Sequence, residues 1–345
     1  RSENKTLEYI LNKLNLASQS ICPVFFGDNV KDKAVFEEVY QRGVGIALGS
    51  SENCSSASFR VDSTKQIAQF LLKLSSSLDK GTSWGQIYLG FEPEDEGLRE
   101  SLCALGNGYF VTRGAAPEAK ADDIHYPGTY LAGGYNRLRT QIKGRTIENE
   151  DLVNIPNWLS LNFRINGEEW FRVSDVKILF YRQYLHIKKG ILHRTIRFRD
   201  KKKRETIILQ HSFVHGNLMH LAALKTVITP LNWEGQIELS SALDGRVTNL
   251  GVKRYRDLGN VHLDLIESQH IDQNSMVLKM RTNKSCVDIA MGARTEVSLN
   301  NKTDAVTSVP ADKPGGYVAK NFAVNARKGD TLTVVKLICI YTSQD

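Results

Sequence analysis

The sequence predicts two architectures in series, a partial α/β segment followed by a large antiparallel β-sandwich. Three observations carry this reading. Up to about residue 80, apolar residues recur at helical spacing between short apolar runs. From Trp84 onward the apolar period becomes two, and turn signals punctuate the runs. A chain of 345 residues, 41% hydrophobic and 24% charged, also has the length of about two domains and can bury a sizeable core.

In the first segment, Leu7, Ile10, Leu11 and Leu14 predict a helix, Val24 to Phe26 a strand, and Val35, Phe36 and Val39 a second helix. A strand is expected at Val44 to Leu48. The last helix carries Ile67, Phe70, Leu71 and Leu74 on one face and is expected to run out into a linker from Ser75 to Gly81. Apolar strands joined by a helix belong to a parallel sheet, but two or three strands are too few for a whole one. Because residue 1 is Arg rather than Met, an internal piece of a longer polypeptide is expected.

In the second segment Ile207, Leu209 and Phe213 alternate with Ile208, Gln210 and Ser212, and Val261, Leu263 and Leu265 with His262, Asp264 and Ile266. Turns are expected at Lys189-Gly190, Asp200 to Lys203, Asp244-Gly245, Asn283-Lys284 and Lys328-Gly329-Asp330. So many antiparallel strands curl or split into two packed layers. Helical spacing nearly disappears here.

Composition narrows the function classes. Apolar runs fall far short of the roughly 20 residues that cross a bilayer, so no membrane span is expected. Five widely spaced cysteines fit a reduced, cytoplasmic protein. The net charge of +7 raises nucleic acid as a partner. The densest basic run, Lys201 to Arg204, lies between two alternating segments and reads instead as the solvated turn of a hairpin, without interleaved aromatics.

Gly27-Asp28-Asn29-Val30-Lys31-Asp32 follows an apolar strand and precedes a helix. Ligands of open α/β sheets gather at the carboxyl ends of strands, and Asp28 and Asp32 can face one magnesium ion. Alternatively, Asp32 caps the helix and Asp28 braces the turn. Pro23 to Phe26, Gly27-Asp28, Asp32, Gly43-Val44-Gly45-Ile46 and the helix near Gln66 to Leu74 resemble the C-terminal end of a haloacid-dehalogenase-type phosphatase, in particular trehalose-6-phosphate phosphatase. The resemblance covers residues 1–78 and implies that Asp28 and Asp32 bind magnesium. Asn29, Lys31 and Lys33 depart from the pattern, which weakens such a site. The nucleophilic Asp that the family uses would precede Arg1.

A second resemblance begins after a linker at residues 79–83. Glu100-Ser101, Leu105-Gly106-Asn107-Gly108-Tyr109, Arg113-Gly114, Gly128 to Gly133, Pro156-Asn157-Trp158, Lys189 to Leu192, Thr229 to Asn232 and Leu243-Asp244-Gly245 resemble the N-terminal domain of glycoside hydrolase family 65. That family contains maltose, kojibiose and trehalose phosphorylases, and the likeness covers residues 84–345. It implies a β-sandwich that precedes a helical barrel, an α-linked disaccharide or sugar phosphate as substrate, inorganic phosphate as co-substrate, and a homodimer. The general acid, a Glu of the barrel, would follow Asp345, so this chain alone is expected to be inactive. Glu168, Glu169, Asp122 and Asp123 are the carboxylates that could otherwise serve as acid and base. Arg113 is expected to hold a carboxylate bidentately, with Glu100 as partner, or else to stand exposed. His186, His193, His211, His215 and His220 are read as solvated or hydrogen-bonded strand residues rather than ligands. The rival reading is a non-catalytic carbohydrate-binding or dimerisation module, marked by exposed aromatics or an apolar patch.

Overall fold

A computed structural model describes residues 23–27, 33–40, 43–49, 57–80, 84–250, 258–303, 306–309, 311 and 314–345. The chain divides into two compact units between residues 83 and 84.

The first unit has strand β1 (Val24–Gly27), helix α1 (Lys33–Tyr40), strands β2 (Val44–Leu48) and β3 (Phe59–Val61), and helix α2 (Thr64–Lys80). β1, β2 and β3 form a parallel sheet in that order. Phe36 and Val39 of α1 are fully buried, as their spacing predicts, and Phe25 meets Phe36 edge-on at 5.1 Å. The helix near Leu7 and the metal pair Asp28 and Asp32 lie outside the described residues. α2 runs farther than expected, through Ser75 to Lys80. Three serines cost only about 0.5 kcal/mol each relative to alanine, and no Gly or Pro intervenes before Gly81.

The second unit opens with β4 (Gly85–Leu89) and helix α3 (Pro93–Leu102). Short strands β5 (Leu105–Gly106), β6 (Phe110–Thr112) and β7 (Thr129–Leu131) make a small antiparallel sheet, and β8 (Tyr135–Ile142) pairs with β9 (Arg145–Leu152). Next come β10 (Leu161–Ile165), β11 (Lys177–His186), β12 (Ile191–Arg199), β13 (Glu205–Val214), β14 (Leu221–Pro230) and β15 (Gly235–Asp244). The order ends with β16 (Leu263–His270), β17 (Ser275–Thr282), β18 (Asp288–Leu299), β19 (Thr307–Val309), β20 (Tyr317–Ala326) and β21 (Leu332–Thr342). Nine strands form one antiparallel sheet, in the order β16-β17-β18-β21-β14-β13-β12-β11-β4, and four form another, β10-β15-β20-β19.

Between these sheets lies one core. Ile196, Ile208, Leu224, Ile228, Val334 and Ile340 come from the larger sheet, and Ile237, Leu239, Val318 and Val324 from the smaller, all within 1% of full burial. Each such side chain contributes about 1.5–3 kcal/mol by leaving water. The predicted sandwich is therefore present, and all five expected turns fall between or at the ends of strands.

Two local expectations fail. α3 was not foreseen, because its buried side chains are Glu96, Arg99 and Glu100 and leave no apolar period. Its start signal is nonetheless plain, a Pro in the first turn followed by Glu94, Asp95 and Glu96, which suit the positive end of the helix dipole. Second, alternation does not sort all strands by polarity. On β13, Gln210 and Ser212 point inward while Leu209 and Phe213 are 38% and 36% exposed, because the interior at that end is polar.

Candidate functional site

Two arrangements of charged side chains stand out. The first is sealed beneath α3. Glu100 is 1% exposed. Its Oε1 lies 3.0 Å from His125 Nδ1, and its Oε2 accepts from the Tyr126 amide at 3.0 Å and from Arg113 Nη2 at 3.3 Å. The remaining Arg113 donors go to the Gly97 and Tyr126 carbonyls and to Ser101. So Glu100 is the partner that the sequence suggested, but Arg113 holds it with one nitrogen, because its fork is shared among carbonyls. Gly114 has to be small here, since a Cβ would sit 2.7 Å from Cys103.

One turn earlier on α3, Glu96 meets Arg99 at 3.2 Å. Burial raises the Glu96 pKa against the pull of Arg194 and Arg99. Arg194 pairs with Glu118 at 2.8 Å, donates to Gln210 and lies over the Tyr181 ring. Burial would push the His125 pKa down, but its hydrogen bond to Glu100 and the charges of Glu100 and Asp122 raise it. A void of about 20 Å³ opens beside Arg194, room for about one water. Through these pairs the carboxylates fasten α3 and the 113–126 loop to the sandwich.

The second arrangement is open. Asn166 and Gly167, both at positive φ, with the Glu168 amide bonded to the Ile165 carbonyl at 3.1 Å, form a type I′ turn after β10. The returning chain bonds back through the Phe171 amide to the Phe163 carbonyl. Phe171 is thereby driven inward, its ring 5.0 Å from Phe163 and 4.8 Å from Phe198 of the other sheet. Trp170 is left half-buried at the mouth, with the Arg164 guanidinium 4.9 Å from its ring centroid. Opposite stands the β12–β13 turn. Arg204 grips Glu168 with both terminal nitrogens, at 2.7 and 3.1 Å, and Asp200 with Nε. Between the two loops lies a cleft of about 470 Å³.

The basic run is thus a hairpin turn as expected, with Asp200 Oδ1 accepting the Lys202 and Arg204 amides. Arg204 itself is built into the cleft wall, and the bidentate pair of this region is Arg204–Glu168. Hydrogen bonds from Arg204 and Lys202 lower the Glu168 pKa, the opposite of what a general acid needs. Glu169 is exposed on the same cleft, whereas Asp122 caps the Ile124 and His125 amides and Asp123 is exposed. Of these four carboxylates Glu168 and Glu169 line the cleft, and Asp122 and Asp123 stand on the loop before His125. Trp170 was missed, although Asn166-Gly167 upstream was the signal that would have found it.

The histidines also sort by partner. His193 and His211 face each other across β12 and β13 at 4.5 Å, and burial followed by the neighbouring histidines takes His193 down to about 4. His215 Nδ1 accepts the Asn217 and Leu218 amides, while His220 bonds the Ile340 carbonyl and stacks on Tyr341 at 4.0 Å. Among the described residues no three acidic, His or Cys side chains gather to hold a metal, and no helix is long and apolar enough to cross a membrane.

Comparison with known proteins agrees with this fold. An uncharacterized glycosyl hydrolase of Mycobacterium tuberculosis (strain H37Rv) is 38% identical over 99% of this chain and 26% of its own length. A kojibiose phosphorylase of Caldanaerobacter subterraneus is 30% identical over 72% of this chain and 31% of its own. The chain therefore spans between a quarter and a third of these relatives. A solved structure described as a kojibiose phosphorylase from the human microbiome superposes with a TM-score of 0.63 at 18% identity, over 76% of this chain and 32% of that one, a likeness of fold. Residues 86–345 match the N-terminal domain of glycosyl hydrolase family 65, and the chain belongs to that family.

Proposed function

We propose that this chain is the β-sandwich portion of an α-glucoside phosphorylase of family 65, preceded by the end of a haloacid-dehalogenase-type phosphatase domain. The family match over residues 86–345 carries the reading. The enzyme as a whole would cleave an α-linked disaccharide with inorganic phosphate, and the sandwich would brace the helical barrel that holds the general acid. That the chain spans only 26% and 31% of the two relatives leaves ample length for such a barrel elsewhere. The fused organisation is supported by the relative that aligns over 99% of the chain, first unit included.

Within the first unit, the parallel sheet supports the phosphatase reading, because β1 ends at Gly27, immediately before Asp28. Asp28 and Asp32 would hold magnesium there, weakly beside Lys31 and Lys33, and the ion would orient a sugar phosphate. The chain itself is expected to lack activity. The reading frame on both sides tests the proposal. A downstream helical barrel with an acidic residue and an upstream Asp-x-Asp are expected; a frame with neither overturns it. Magnesium calorimetry tests the weaker element, for which micromolar affinity abolished by Asp28→Ala would show that the lysines do not weaken the site.

A further inference from the structure

We propose that the cleft between the Asn166-Gly167 turn and the β12–β13 turn binds a neutral saccharide of about two sugar units, stacked on the face of Trp170 opposite the Arg164 guanidinium. Its volume of about 470 Å³ falls within the range of small-ligand pockets, roughly 300–1,000 Å³. Its floor is aromatic, since Phe163, Phe171 and Phe198 all line it. Apolar floor and polar rim together suit a ring with C–H groups on its faces and hydroxyls at its edge.

Charge selects against an anion. Arg204 and Lys202 are engaged by Glu168, Arg204 also by Asp200, and Arg164 by Glu238 at 2.7 Å. A carboxylate gripped by guanidinium still has lone pairs to accept from hydroxyls, and Arg172, exposed at the rim, has donors to give. Arg172 and Lys201 also line the cleft, but Glu169 and Asp175 line it too, so the site offers many hydrogen bonds with little net field, which favours a polyol over a phosphate. The wall is also rigid: Phe171 pins the loop to the core, and Asn166 is bonded to Gln236 of β15 through both its backbone and its side chain. Ordering the site on binding therefore costs little. The choice of a saccharide rests on family membership; the location rests on the geometry.

The test uses the full 345-residue chain with maltose, kojibiose and trehalose as probes, read by calorimetry and tryptophan fluorescence. Saturable binding in the millimolar range is expected. Trp170→Ala should weaken it at least about tenfold, and Trp170→Phe less. Arg172→Ala, at an exposed position that leaves the fold intact, should weaken it several-fold. Inorganic phosphate should not compete. No saturation with any of the three sugars, binding unchanged in both Trp170→Ala and Arg172→Ala, or displacement by phosphate would each overturn the proposal. None of these outcomes bears on whether the parent enzyme is a phosphorylase, which the reading frame decides separately.

Discussion

Lys336 Nζ donates to the Ala242 carbonyl at 2.6 Å and to the Ser160 carbonyl at 3.0 Å, so an amine from β21 of the larger sheet is tied to backbone of the smaller-sheet side across the core. The residue is fully buried. Its site is fit for a neutral amine, and burial brings the Lys336 pKa down to about 7. In the unfolded chain it returns to the ordinary value near 10.4. Between those limits the unfolded state binds more protons, so stability rises with pH through that window, by up to about tenfold in the folding constant per unit. Below about pH 7 the full cost of a buried cation is present. Urea unfolding at a series of pH values should show Lys336→Met with a flatter profile from pH 7 to 10 than the unaltered chain. Parallel profiles would contradict the burial of a neutral amine.

Glu100 should be the most sensitive acidic position in the sandwich. Removing it leaves Arg113 and His125 without their shared carboxylate in a closed site, and Glu100→Ala is expected to cost about 3–5 kcal/mol in denaturant unfolding. The pH dependence has the opposite sign to that of Lys336. His125 has a raised folded pKa, so its contribution is complete below about pH 6.5 and fades as pH climbs through the raised value. His125→Gln should remove that fading component; a loss under about 1 kcal/mol for Glu100→Ala would mean that the cluster is solvated.

How far the sequence foretold this structure depends on what each element buries. β2 at Val44–Leu48 and α1 around Phe36 were legible because apolar period and burial coincide. α3 was not, since ion pairs rather than hydrophobes fix it. The role of Lys336 was not legible, because it sits in a mostly apolar strand and no local pattern says that two carbonyls across the core wait for it. The cleft needed tertiary structure: Trp170 and Arg204 are 34 positions apart and line one cleft only when β10 and the β12–β13 turn are packed. Arg113–Glu100 was legible as a pair, but its single-nitrogen geometry was not.

The turn that presents Trp170 offers a separate handle on the cleft. Gly167 has φ of 71°, and Gly167→Ala should cost about 1 kcal/mol of stability through left-handed backbone strain. Because the turn sets where Trp170 stands, maltose binding should weaken as well, though less than in Trp170→Ala. Calorimetry on both variants checks this, and an unaltered affinity in Gly167→Ala would mean that the loop position is fixed by Phe171 alone.

Self-association is expected at micromolar concentration, through the outer face of the larger sheet. Phe213, Ala223 and Leu337 share one row across β13, β14 and β21, with Leu221 and Tyr341 exposed nearby. Exposed apolar surface costs about 25 cal/mol per Å², so a partner there is favoured. Analytical ultracentrifugation should find a dimer that Leu337→Glu dissociates. A monomer at tens of micromolar, or a dimer indifferent to Leu337→Glu, would place the interface elsewhere.

Release of glucose 1-phosphate from kojibiose, trehalose and maltose in the presence of inorganic phosphate, measured side by side for this chain and for the full product of its reading frame, tests the central claim most directly. Release by the full product, with none above background from the 345-residue chain, is the predicted result. Release by the chain itself, abolished by substitution of one of its own carboxylates such as Glu168 or Glu169, would contradict the account.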